Sequence, residues 1–299
     1  MDILLMLLAV TAFSANQICT RLYQLKIQKR PFTVYMYMSF FCLVAAIAYF
    51  VQVGGDTNFN AKILLFAMAF GAFFVGAILF SAKGFETGPM SLTGIILNSS
   101  VVITVLYSCI VYEEPIELMQ IIGCALLFVT FILSATGSGD SNSEKGKANS
   151  KKLLIWTLFV FIAFFSNGTT AILQKEIKLA EDVGNGNLFM GIAYLTSAVI
   201  FFVYYIFHHE KGTVKEASTK TKLAFLAVGL ISGLGSCLGN GIIMTLSTQV
   251  NAAVLYPCVN GGLALLVSIV SCAVFKEKLT TKKLITIIIG ILSIIVLNL

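Results

Sequence analysis

The run GPMSLTGIILNSSVVITVLYSCIVYEE, from Gly88 to Glu114, opens on Gly-Pro and closes on two carboxylates. Between Leu92 and Val111 it holds no charged residue, which matches the roughly 20 residues that a helix rising about 1.5 Å per residue needs to cross the hydrocarbon of a bilayer. In its middle stand Asn98, Ser99 and Ser100. Amides and hydroxyls in hydrocarbon are costly unless hydrogen-bonded, so a run that keeps three of them turns that face to the protein interior or to a solute.

Nine further apolar runs flank this one, and together they read as ten transmembrane helices at 3–22, 32–52, 62–82, 88–111, 116–136, 153–174, 187–207, 222–245, 252–275 and 283–298. Of the 299 residues 58% are hydrophobic and 11% charged, against about 45–50% and about 25% in a soluble domain. The fold class is therefore an all-α integral membrane protein. The longest polar connection is Ser138 to Lys152, which leaves no room for a separate catalytic domain and argues against an enzyme. The net charge of +6 sits between the apolar runs, where it reports topology and not nucleic-acid binding. The seven cysteines lie inside or at the ends of hydrophobic runs with no C-x-x-C spacing, so neither a metal nor a disulfide framework is expected. No cofactor is implied.

The chain reads as a duplication. A shift of 163 residues lays Val111-Tyr-Glu-Glu114 on Val274-Phe-Lys-Glu277, Gly76 on Gly239 and Gly94 on Pro257, and a shift of 151 lays Phe13-Ser-Ala-Asn16 on Phe164-Phe-Ser-Asn167. The expected organisation is a first five-helix repeat over 1–137, a cytoplasmic linker over 138–152 and a second five-helix repeat over 153–299. Five is odd, so the two repeats enter the membrane in opposite senses. Of the 20 basic residues, only Lys62, Lys175 and Lys178 lie in connections after even-numbered spans. Cytoplasmic loops are the basic ones, so both termini are placed outside a cell membrane, plasma or inner, crossed many times.

Five-plus-five inverted repeats with a glutamate ending the fourth helix of each half resemble the drug/metabolite transporter superfamily and its EamA-type members. The residues that carry the likeness are Gly88-Pro-Met-Ser-Leu-Thr93, Glu114 with Gly123, and Pro257 with Glu277. The resemblance implies a ten-helix carrier of small molecules. Two departures stand beside it. Members commonly keep both termini in the cytoplasm, and the small multidrug branch places a glutamate in its first span where this chain offers Ser14, Asn16 and Gln17.

An inverted-repeat carrier binds its solute near the midplane, at interrupted helices in corresponding positions of the halves. Gly94 and Pro257 form such a pair and are the expected helix-breaking, gating positions. Asn16, Asn98, Ser99, Asn167, Tyr256 and Asn260 are the expected substrate-binding residues. The competing role for all six is to hold helices together. The glycines at 229, 233, 235, 239 and 241 are read as packing positions, with Asn240 among them open to the pathway, and Lys83 as a lysine that reaches the interface. The expected function is secondary transport of a metabolite, amino acid or drug-like compound by alternating access, with export favoured, in a monomer or homodimer. Uptake of sugars or metabolites, lipid flipping and a non-transporting membrane subunit are the alternatives.

Overall fold

The structure, a computed structural model, describes residues 2–24, 33–54, 60–88, 90–137, 150–179, 186–208, 218–274 and 281–297. They form helices α1 (Asp2–Leu22), α2 (Val34–Val53), α3 (Ala61–Thr87), α4 (Met90–Asn98), α5 (Val101–Val111), α6 (Leu118–Gly137), α7 (Ser150–Leu179), α8 (Gly186–His208), α9 (Thr219–Leu246), α10 (Ala252–Val274) and α11 (Thr281–Leu297). No strand occurs among the described residues. Six helices (α1, α2, α3, α7, α8 and α9) are long and apolar enough to cross a membrane, and shorter apolar helices cover Ile96–Val111, Leu118–Thr130, Ala252–Val267 and Ile287–Leu297.

The outward faces decide the solvent. Val51 and Ile110 are each 77% exposed and Phe207 79%. A water-soluble domain scatters such residues singly, whereas here they recur along most helices, and lipid is the medium that accepts them.

The helix ends refine the sequence reading. Thr33 caps α2, its hydroxyl accepting from the Met36 N–H at 3.5 Å, while Pro31 and Pro89 lie outside the described residues. Pro115 stands three residues before α6. The sixth apolar run does not stop at 174, because α7 continues to Leu179 and buries Gln174, Lys175 and Ile177. Leu173 and Ile177, four apart, keep one apolar face running through the polar letters between them. Most of the linker, 138–149, and the corner with Glu277 lie outside the described residues.

The chain forms two compact units. The first comprises Met1–Val75 and Leu173–Thr248, the second Gly76–Ile172 and Gln249–Leu299. Each draws on both sides of the linker. In the first unit α2 packs on α8 and α9, and α1 on α9. In the second, α6 packs on α11, α4 and α10, and α10 on α5 and α11.

Close approach of backbones explains Gly235. A Cβ there would lie 2.7 Å from the Ala12 carbonyl oxygen of α1, so only glycine lets the two helices meet. Gly94 is the opposite case, since a Cβ would meet nothing within 4 Å. Gly235→Val is therefore expected to destabilise the detergent-solubilised protein by about 1–3 kcal/mol through overpacking, read as a lowered melting temperature. Gly94→Ala is expected to melt like the parent.

Candidate functional site

In the second unit the fourth apolar run is interrupted, not at Gly94 but five residues later. Helix α4 passes through Gly94 and ends at Asn98, Ser99 and Ser100 form a turn, and α5 starts at Val101. Gly94 makes no demand on the backbone, while a serine pair offers hydroxyls that compete with helical bonds. The chain crosses the turn on tighter bonds: Ser100 N–H to Leu97 O at 3.2 Å, Val102 N–H to Ser99 O at 2.9 Å and Ile103 N–H to Ser100 O at 3.0 Å.

Side chains from α7 fasten this turn. The Asn167 amide donates to Ser100 Oγ at 2.8 Å, and Thr104 donates to the Gly168 carbonyl at 3.3 Å. Before the turn, Trp156 donates its indole N–H to Thr93 Oγ1 at 2.9 Å. The indole lies against Gly88, where a Cβ would come within 2.1 Å of it. Gly88 and Thr93, the two ends of that signature, thus seat Trp156.

Helix α10 runs unbroken through Pro257. The proline is only the sixth residue of the helix and deprives a single carbonyl, that of Ala253, of its partner. The Cys124 thiol of α6 approaches that oxygen at 3.9 Å. Asn98, Ser99, Gln120, Cys124, Ala253 and Pro257 are among the residues lining a cavity of about 190 Å³ whose surface is almost wholly apolar. Several of its walls, including Val102, Leu106, Ile121 and Phe128, are exposed.

The structure thus brings Asn98, Ser99 and Pro257 to one cavity. It turns Tyr256 another way, its hydroxyl donating to the Ala171 carbonyl of α7 at 3.3 Å, with the half-buried Asn260 one turn further on. Asn167 is tied to Ser100. Asn16 belongs to the first unit, where its carbonyl accepts from Thr20 at 3.3 Å, and Thr20 meets Tyr37 at 3.3 Å. Near it, the buried Ser14 hydroxyl has no hydrogen-bond partner.

The acidic corner closes α10. Glu114 Oε2 accepts from the Ala252 N–H at 2.9 Å, and Asn251 accepts from the Ala253 N–H at 2.8 Å while donating to the Pro115 carbonyl at 2.7 Å. Glu113 holds the corner with φ of 52°, a left-handed conformation rare outside glycine and asparagine.

The first unit holds a polar cluster that the sequence reading largely passed over. Gln174 donates to Asn240 Oδ1 at 2.8 Å, and Asn240 donates to the Tyr194 hydroxyl at 2.8 Å and the Ser236 carbonyl at 3.0 Å. Tyr194 and Ser236 share a bond at 2.6 Å. Tyr37 bonds Ser232 one turn along. Ser232, Ser236 and Asn240 recur every four residues, which makes one polar stripe on α9 and was the available signal. Lys83 is exposed and lies 5.5 Å from the centroid of the Phe159 ring. His208 is stacked on Tyr204 at 4.0 Å. No group of three or more metal-ligating side chains occurs among the described residues.

Long apolar helices, lipid-exposed faces and internally bonded polar side chains define a multi-pass helical membrane protein. Residues 1–136 match the model of the EamA-like transporter family, a family of the drug/metabolite transporter superfamily. No curated protein matches. The chain is similar in fold to a solved structure entitled "Crystal structure of protein", with a TM-score of 0.73 and 11% identity over 98% of each chain.

Glu114→Ala is expected to cost about 0.5–2 kcal/mol as a lost helix cap, measured by thermal unfolding in detergent. Glu114→Gln keeps an oxygen acceptor and should retain most of it.

Proposed function

We propose that this chain is a secondary transporter of a small organic solute, working by alternating access, with export the favoured direction. On this reading the shorter apolar helices also cross the bilayer. The result is ten spans in two inverted five-helix repeats, 1–137 and 153–299, joined by a cytoplasmic linker over 138–152. The basic connections after odd-numbered spans support placing both termini outside a plasma or inner membrane. The EamA-like match over residues 1–136 supports transport as the activity.

The observation that carries the reading is the interruption at Ser99–Ser100 inside an apolar run, opening on a cavity with Asn98 and Ser99 in its wall. Irregular backbone at membrane depth is tolerated where it is buried in protein or lines a cavity, and carriers use such breaks to present polar groups to their cargo. Asn98 and Ser99 are the primary contacts of the proposed site. Asn167, Tyr256 and Asn260, in the same unit, are assigned to it as further solute contacts, with Pro257 as the flexible point of α10, and Asn16 is proposed as a solute contact of the first unit. The apolar share of the cavity wall fits the hydrocarbon part of an amphipathic solute. A second reading, lateral uptake of a lipid-like molecule, draws on Val102, Leu106, Ile121 and Phe128, which line the cavity and are exposed as well.

The test is a thermal-stability screen of purified protein against amino acids, sugars, nucleosides, polyamines, aromatic cations and lysolipids. A solute present at 100 times its dissociation constant stabilises the fold by about 2.7 kcal/mol. Selective stabilisation by a soluble solute, abolished in Asn98→Ala, is the expected result. A response confined to lysolipids would move the assignment to the lipid reading, and none from a folded sample would overturn both.

A further inference from the structure

The first unit has a cavity of its own, of about 360 Å³. Cys237, Gly241 and Thr245 recur every four residues along α9 and form one strip of its wall, and Leu238 and Ile242 form the next. The longer strip covers two helical turns, about 12 Å. Leu5 of α1, Gln52 of α2 and Asn187 of α8 complete the lining. Gln52 and Thr245 are each the last residue but one of their helices, Asn187 is the second of its own and Leu5 the fourth. All four helices are long and apolar enough to cross a membrane, so the cavity lies where the ends of four spans gather. A solute in the water beside a membrane reaches such ends without crossing hydrocarbon.

The bonds that hold this wall leave oxygens over. Gln52 directs its amide nitrogen to the Ala48 carbonyl at 3.1 Å and to the Cys237 sulfur at 3.4 Å. A carbonyl only accepts, so the nitrogen of the amide and not its oxygen stands against Ala48. Gln52 Oε1 accepts from no group among the described residues. Thr245 gives its hydroxyl hydrogen to the Gly241 carbonyl at 3.0 Å, which leaves its oxygen as an acceptor. The Asn187 amide donates to the Gln52 main-chain carbonyl at 3.3 Å and ties the start of α8 to the end of α2.

None of the described residues that line the cavity carries a charge. A charged guest would give up water there without meeting a counter-charge, whereas a neutral one needs only hydrogen-bond donors for the two oxygens. Leu5, Leu238 and Ile242 make the rest of the wall aliphatic. Hydroxyls on a rim and a C–H face, the features of a sugar or a cyclic polyol, match both parts.

We propose that this cavity is a second solute site, specific for a small neutral polyhydroxyl compound. Its hydroxyls donate to Gln52 Oε1 and Thr245 Oγ1, and its C–H face lies on Leu5, Leu238 and Ile242. The cavity bordered by Asn98 and Ser99 belongs to the second unit and is almost wholly apolar, so the two sites differ in chemistry, and this one does not depend on the transport reading.

The experiment measures binding of D-glucose, D-xylose and myo-inositol, and of the charged relatives D-glucosamine and D-glucuronate, by thermal stabilisation and equilibrium titration in a detergent without a sugar headgroup. At least one neutral compound is expected to bind, about tenfold or more tightly than either charged relative. Gln52→Leu and Thr245→Val each remove one acceptor at an exposed position. Each should weaken binding about threefold to tenfold, the worth of one hydrogen bond, without lowering the melting temperature of the free protein. Asn98→Ala should leave the affinity unaltered. No binding of any neutral compound overturns the proposal, as does equal binding of a charged relative or full affinity in both folded variants. A neutral solute lost in Asn98→Ala alone belongs to the second unit, a result that overturns this site and supports the other. Affinity that falls in Gln52→Leu and holds in Asn98→Ala upholds this site whether or not the protein transports.

Discussion

Hydrocarbon offers no hydrogen bonds, so every backbone N–H and C=O at membrane depth must find a partner within the protein. The rest of this structure follows from that constraint. Unbroken helices meet it by themselves, and the places where the helix pattern fails are those where side chains have been recruited. The turn at Ser99–Ser100 is carried by three-residue bonds and fastened by Asn167. The carbonyl released by Pro257 lies near the Cys124 thiol. The first N–H groups of α10 are taken by Glu114 and Asn251.

The same constraint explains why polar side chains concentrate where they do. Thr104, Tyr256 and Tyr49 each donate to a main-chain carbonyl on a neighbouring helix, at Gly168, Ala171 and Cys237. Such bonds are glue, worth about 1 kcal/mol or less each in a membrane. Asn98 and Ser99 stand apart because they line a cavity. Within one short segment Ser100 holds the turn, while Asn98 and Ser99 border the cavity.

Much of the fold was legible in the sequence because crossing a bilayer demands long uncharged runs, and the run from Leu92 to Val111 shows one plainly. The family was legible from Gly88 to Thr93 and from Glu114, and the first of these has a physical role in seating Trp156. The position of the break was not. Propensity points to glycine and proline, whereas the helix tolerates Gly94 in its middle and Pro257 near its start, and yields at paired serines whose hydroxyls bond elsewhere. The burial of Gln174 and Lys175 was hidden because charged letters read as a span's end, and only packing shows that the helix continues. The polar stripe of Ser232, Ser236 and Asn240 was visible in its spacing, but the tyrosines that partner it come from distant α2 and α8.

The most direct measurement of the central claim is counterflow: proteoliposomes loaded with the solute that stabilises the protein most are diluted into a trace of the same solute carrying a radiolabel. A carrier that exposes the Asn98–Ser99 site alternately to either side predicts a transient accumulation of label above equilibrium, abolished by Asn98→Ala in vesicles holding the same amount of folded protein. Label that equilibrates without an overshoot, or an overshoot that Asn98→Ala leaves intact, would contradict it.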